Sequence, residues 1–512
     1  MLKPCYLIGF TGHRAGYDEA TVRASIQEVL GELRERAQAQ QGEVELYTSL
    51  AEGADTLCVE IARELGMAVH LLLPLSAEEF AKDFSSPEAW ARSQRQLDTA
   101  LQLPGWDSVH EVPGERTRPE CYFNQAIHML DAVDVMVAVW DGQPARGLGG
   151  TEQVVSQAKA MGKPVILIDP KTGKTQMIER NVSIFPADAV LMELNALAAE
   201  TGVPASQSVS TPRELQACMD EIAMKEAGRF RPSLVLIIFL HACAALLAAL
   251  VTFRGSGEAV WDETKWTLTL LELGLVSFAL WMSFRLRRKH IQQRWIRCRF
   301  ACELVRGLRT SIPILNPLHP AITRHDPQWT RFVLSAGLLV LRHQDTADVQ
   351  VLKDRYVDIR LGDQHEDGQI RHYLKMRPTA LRWWDFTGHV SRWSAMLAPA
   401  FVVLSLFNKL SKHWWPPEGL QMEKYFWLWL AVVFFPIALP MLAGVASSLR
   451  NVLDAGRRKD RYPQMAARLT EIRTALVGMK TKSTIETQVA RSEELLLDEL
   501  LEWKQAIKNA GR

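Results

Sequence analysis

The chain predicts an α/β domain, a Rossmann-like parallel sheet with helices on both faces. An all-α membrane region of four transmembrane helices in two hairpins follows it. Three observations carry this expectation. Short apolar runs ending in turns alternate with amphipathic stretches between residues 5 and 169. Residues 233–253 (SLVLIIFLHACAALLAALVTF) hold no charged side chain, and at about 1.5 Å per residue they reach across a hydrocarbon core about 30 Å thick. Three further apolar blocks, at 266–284, 393–410 and 425–449, complete two pairs.

In the α/β part the first strand is residues 5–10 (CYLIGF). A helix over 18–36 then puts Val22, Ile26, Val29, Leu30 and Leu33 on one face. The alternation continues with strands at 44–48, 69–74, 133–140 and 164–169, and with helices at 54–65 and from Thr151. Such alternation gives a parallel sheet, in which ligands bind beyond the carboxyl ends of the strands. Residues 170–228, with the Ser/Thr/Pro-containing stretch 202–212, read as a linker running into a helix at 213–227. The expected divisions are therefore 1–228, a first hairpin within 229–300, cytoplasmic helices at 301–392, a second hairpin at 393–449, and cytoplasmic helices at 450–512.

In the membrane part, Arg285, Arg287, Arg288, Lys289, Arg294, Arg297 and Arg299 follow the second span, and Arg450, Arg457, Arg458, Lys459 and Arg461 follow the fourth. Short basic flanks stay on the cytoplasmic side, so both termini are expected there, in a bacterial inner membrane. Residues 332–341 (FVLSAGLLVL) are too short to cross and fit a buried helix. Pro436 and Pro440 should kink the last span. In the tail, Ser483-Thr484-Ile485-Glu486 has a capping-box pattern. Ile485, Val489, Leu496, Leu500 and Trp503 form a stripe, to be packed within the chain or against a second copy.

The charge totals, 59 basic against 58 acidic side chains, offer nothing to a nucleic-acid polymer. Seven scattered cysteines read as reduced thiols. Cys298 and Cys302, four apart with His290 upstream, lack a second ligand pair, so no metal is expected.

Candidate binding residues cluster at the strand ends. The first strand leads into Gly9, Phe10, Thr11, Gly12, His13 and Arg14, where glycines permit close approach and a hydroxyl and guanidinium suit a phosphate. Gly53 and Asp55 open the helix after the second strand. Asp141 ends a late strand, and Gly149, Gly150, Thr151 and Glu152 open the next helix. Asn124 joins them as a contact to base or ribose, or else as a helix-surface residue.

GFTGHR, the AEGAD segment with its following helix, DVMVAVWDG and GLGGT together resemble the SLOG superfamily over residues 4–170. That Rossmann-like group includes a DNA-processing protein, a cytokinin-activating phosphoribohydrolase and nucleotide-sensing domains of bacterial immune systems. The resemblance implies a pocket for a nucleotide or nucleotide-derived signal, with no further cofactor and with phosphates near residues 9–14 and 149–151. In the hydrolase branch a PGGxGTxxE motif supplies a glutamate, but here Val154 stands at that position and Glu152 is two residues away. That departure favours binding without turnover over the alternative, a membrane-tethered nucleotide N-glycosidase in which Glu152 or Glu52 serves as the acid. A passive nucleotide-binding scaffold is a third reading. YVDIRLGDQHEDGQIRHYLK followed by two spans is similar to the SLATT group of two-helix membrane modules. That similarity implies an effector that permeabilises the bilayer in antiphage or conflict defence, as a homo-oligomer, since four spans alone make a poor pore.

Overall fold

A computed structural model describes the chain except at residues 1, 104–106, 113–116, 145–146, 179–182, 201–210, 252–257, 316–326, 344–346, 366–367, 415–425, 454 and 511–512. The Pro-rich loop expected at 316–326 and most of the 202–212 stretch lie outside the described residues. The chain forms two units. The first is Met1–Cys218 with Cys302–Lys353 and Lys480–Leu497; the second is Met219–Ala301, Asp354–Met479 and Asp498–Arg512.

In the first unit seven strands alternate with helices. They are β1 Cys5–Gly12, α1 Glu19–Ala39, β2 Glu43–Thr48, α2 Ala54–Glu64, β3 Val69–Leu73, α3 Ala77–Phe80, α4 Pro87–Gln102, β4 Ser108–Glu111, α5 Arg118–Ala132, β5 Val135–Val139, α6 Thr151–Ala160, β6 Val165–Ile168, β7 Thr175–Ile178 and α7 Ala189–Glu200. The sheet order is β4-β3-β2-β1-β5-β6-β7, parallel except for β7. Val22, Ile26, Val29, Leu30 and Leu33 of α1 are all buried against it, so the face read from the periodicity is the packed face.

Two strands go beyond the sequence reading. β4 is four residues long and half-exposed, so it lacks an apolar run. β7 closes a tight turn in which Asp169 accepts from the backbone of Lys171 and Thr172, and it pairs antiparallel on the outer edge. Part of the expected linker is therefore sheet, and α7 is a further helix there, with Leu191, Leu194 and Leu197 buried.

The long helices follow. They are α8 Pro212–Val251, α9 Glu258–Arg288, α10 Ile291–Ser311, α11 Thr330–Arg342, α12 Val349–Ile359, α13 Gln369–Trp414, α14 Phe426–Val452, α15 Ala455–Gly478 and α16 Lys482–Ala510. α8, α9, α13 and α14 are long and apolar enough to cross a membrane, which makes this a multi-pass membrane protein. α8 and α13 run as single helices through Pro232, Pro378 and Pro399, where separate cytoplasmic and membrane pieces were expected.

α11 belongs to the first unit and completes it. Nearly every residue of its apolar run is buried, as its length requires. It lies at the amino ends of the strands. Ser335 Oγ accepts from the Cys5 amide at 3.0 Å, and Arg331 pairs with Asp134 just before β5 at 2.8 Å. Arg342 pairs with Glu43 and Glu45 at the start of β2. Glu45 is 1 % exposed and also bonds His70 of β3. Burial works against its charge, yet His70 and Arg342 hold its carboxyl below the usual range.

In the second unit α13 packs along α14 and α15, with Phe401 and Phe435 in ring contact at 4.9 Å. α14 widens into a π-helical turn at Leu430–Phe434, two residues before Pro436. Proline has no N–H for the carbonyl four residues back, and the wider turn accommodates the break. On α16, Ile485, Val489 and Leu496 are buried within the chain, and Trp503 meets Trp295 edge-on at 5.6 Å. The helix is capped from Thr481, whose carbonyl accepts from the Ile485 amide, two residues ahead of the expected box.

Candidate functional site

The chain leaves β1 toward β2 on one side and returns to β5 on the other, so the sheet order reverses between β1 and β5. Loops that follow neighbouring strands at such a point diverge and leave a crevice beyond their carboxyl ends. β1 brings Gly12, His13 and Arg14 there, and β5 brings Trp140 and Asp141.

β1 continues to Gly12, two residues past the predicted end. Gly9 is thus an interior strand residue between Tyr47 and Met136. A Cβ there would stand 2.7 Å from Met136 Sδ, so this glycine serves packing inside the sheet and lies below the crevice.

The β1 and β2 ends are tied together. Ala54 N donates to the His13 carbonyl at 3.1 Å. Gly53 has φ +95°, and a Cβ on it would meet the Arg14 carbonyl oxygen at 2.4 Å, so both conformation and space require glycine. Asp55 fixes the same junction from below. Its carboxylate accepts from the Gly12 amide at 2.9 Å and from the Thr48 and Ser49 hydroxyls at 3.1 and 3.0 Å. The side chain is 2 % exposed, and burial pushes its pKa up to about 7, against the three hydrogen bonds that favour the anion. Asp55 therefore shapes the loop from inside. Next to it the fully buried Leu50 has φ 60°, a left-handed conformation costing about 1–2 kcal/mol that its packing must hold.

The groups bordering the crevice are polar, with Arg14, His13 and carboxylates of both neighbouring loops among them. His13 Nε2 accepts from the Asp141 amide and lies 3.2 Å from its carboxylate. Arg14 is exposed, with its guanidinium 5.8 Å from the centre of the Tyr122 ring and a hydrogen bond to the Asp83 carbonyl at 3.1 Å. Among the described residues it has no carboxylate partner. Tyr122 is the hub of this arrangement. Its hydroxyl donates to Asp83 at 2.7 Å, and burial, then that bond, raise its pKa. Arg118 pairs with both Asp83 and Glu79, and Glu52 accepts from the Ser85 amide.

The third loop rests on the same tyrosine. Gly149 has φ +82°, and a Cβ there would lie 2.8 Å from Tyr122 Cβ. Its amide donates to Gln153 at 2.7 Å. Gly150 is the N-cap of α6 with no side-chain cap, which leaves the amides of the first turn, Thr151 and Glu152 among them, without that partner. The Glu152 side chain makes no hydrogen bond or ion pair among the described residues. Val154 is 3 % exposed and faces the core.

Gly12, His13, Arg14, Gly53, Asp141 and Gly149 are thus linked through one another or through Tyr122, with Asp55 beneath them. Asn124 is half-buried in the second turn of α5, two residues after that tyrosine. Thr11 is the penultimate residue of β1, beside Ala138. Tyr122, Arg118 and Asp83 were not among the sequence candidates. For Arg118 and Tyr122 the one signal is the capping box of Thr117 and Glu120, which fixes where α5 begins and so which of its residues look toward the loops. Among the described residues no group of three His, Cys, Asp or Glu side chains could hold a metal. No protein-family model matches the chain, and no curated protein matches it.

Proposed function

We propose that this protein is a membrane effector. Its Rossmann-like domain binds a nucleotide or nucleotide-derived second messenger, and a homo-oligomer of its spans then permeabilises a bacterial inner membrane in antiphage or conflict defence. The observation that carries the reading is Arg14: an exposed guanidinium that forms no ion pair with a carboxylate among the described residues, held by Tyr122 at the β1/β5 reversal. A phosphate between it and the uncapped start of α6 would gain a charge-assisted bond and the favourable end of the helix dipole. His13, Asn124 and Asp141 are the candidate contacts to ribose or base. The SLOG-like motif order supports the same ligand class.

Turnover is disfavoured because residue 154, where the hydrolase branch carries its glutamate, is an apolar side chain in the core. Binding must therefore act through unequal affinity for two states of the protein.

The test is thermal unfolding of the full chain in detergent against nucleoside monophosphates, cyclic mono- and dinucleotides, ADP-ribose and NAD. A ligand at 100 times its Kd should stabilise by about 2.7 kcal/mol. Arg14→Ala and Gly150→Trp should each abolish that shift while leaving the unliganded unfolding temperature within a few degrees. No shift with any phosphorylated metabolite, or a shift that survives both substitutions, removes the proposed pocket. Base released from the same compounds, and lost in Glu152→Ala, replaces the sensor with a hydrolase.

A further inference from the structure

In the second unit two cations share one indole. The Arg450 guanidinium lies 4.2 Å from the centre of the Trp384 ring, and Lys459 Nζ lies 4.8 Å from it. Arg450 also donates to the Thr387 hydroxyl at 3.3 Å. Among the described residues neither cation has a carboxylate partner, and all three side chains are half-buried.

The cradle is built by two glycines. A Cβ on Gly388 would stand 3.2 Å from an Arg450 guanidinium nitrogen, and one on Gly456 would stand 2.8 Å from Trp384 Cζ3. Their bare backbones let the guanidinium lie on α13 and the start of α15 press against the indole. Two like charges held together in this way favour an anion between or above them.

Its level along the helices says which anion. Arg450 follows directly on Leu449, at the end of the apolar run of α14. On α13 the exposed aromatic side chains around Trp384 are Trp383, Phe386 and, between two and three turns on, Trp393, with Arg382, Asp385 and His389 the exposed polar ones. Exposed Trp and Phe flanking a span mark the headgroup level of a bilayer. We propose that Arg450 and Lys459, seated on Trp384, form a binding site for the phosphodiester headgroup of an anionic lipid. Basic pockets between spans recognise such headgroups through charge and hydrogen bonds. The assignment is independent of any nucleotide bound by the first unit.

The test uses the full-length protein in detergent, titrated with dioctanoyl phosphatidylglycerol, dioctanoyl phosphatidylcholine and inorganic phosphate, with binding read by native mass spectrometry and thermal shift. The wild type should bind phosphatidylglycerol in preference to phosphatidylcholine. R450Q/K459Q should weaken phosphatidylglycerol binding roughly 30-fold, about fivefold for each cation lost. R450K/K459R keeps both charges and should retain most of the binding. Unchanged phosphatidylglycerol affinity in R450Q/K459Q, equal affinity for phosphatidylcholine in the wild type, or a loss in R450K/K459R as large as in R450Q/K459Q overturns the site. Inorganic phosphate that stabilises as well as the lipid at the same concentration overturns the lipid as its source.

Discussion

At the scale of single residues, Asp55 shows how a strand-end loop is held in shape by a buried group beneath it. Its folded pKa of about 7 lies above its ordinary value of 3.8. The folded state thus holds the proton more tightly than the unfolded chain does. Asp55's contribution to stability is greatest below pH 4 and is progressively lost as pH rises toward 7. Asp55→Asn keeps the shape without the titration. The fall in unfolding temperature between pH 4.5 and 7.5 should therefore be larger in the wild type than in Asp55→Asn, by differential scanning fluorimetry of the full chain in detergent. Identical pH profiles would show that three hydrogen bonds keep Asp55 ionised despite its burial. His110 acts in the opposite sense. Burial lowers its pKa to about 3, so its contribution is lost as pH falls from 6.5 toward 3. Most of this corner was legible in sequence because glycines at strand ends announce close backbone approach. Gly9 was misplaced because two more residues of β1 move it inside the sheet. Tyr122 and Asp83 were not read as site residues because their roles come from the packing of α5 against the segment after α3.

At the scale of elements, α11 carries the clearest prediction. The helix lies far along the chain from β1, β2 and β5, yet it is joined to their amino ends by Arg331–Asp134 and Arg342–Glu43/Glu45. The Arg331–Asp134 pair is mostly shielded, with side chains 12 % and 17 % exposed. Removing one member leaves the other charge short of its partner, so Arg331→Met should cost on the order of 3 kcal/mol. The exposed helical pair Arg36–Glu32, at 54 % and 60 %, is the comparison: Arg36→Met should cost about 0.5 kcal/mol or less. Equal small effects on thermal unfolding would mean that α11 only rests on the sheet. The burial of α11 was legible from a run too short to cross a bilayer. Its partner was not, because a helix that is apolar nearly all round does not say which surface covers it. The edge strands β4 and β7 escaped notice because a four-residue strand with exposed faces shows no period-two pattern.

At the scale of the whole molecule, topology constrains the membrane path. The first unit is assembled from three separate stretches, Met1–Cys218, Cys302–Lys353 and Lys480–Leu497. They are joined by two excursions that contain α8 with α9, and α13 with α14. Three stretches can build one sheet-and-helix unit only on one side of a bilayer, so each excursion must cross an even number of times. Two crossings apiece satisfy this, and a single odd crossing would pull α11 or the start of α16 away from its unit. The basic residues after the second and fourth spans predict that this side is the cytoplasm. Epitope tags at both termini should then be reached by antibody only after sealed cells are permeabilised, whereas tags placed at residues 255 and 419 should be reached from outside. Termini exposed on opposite faces would break the even count and with it the joint between α11 and the sheet. Both termini outside would preserve the count and reverse the charge assignment, and the proposed sensing of a cytoplasmic messenger would fall with it.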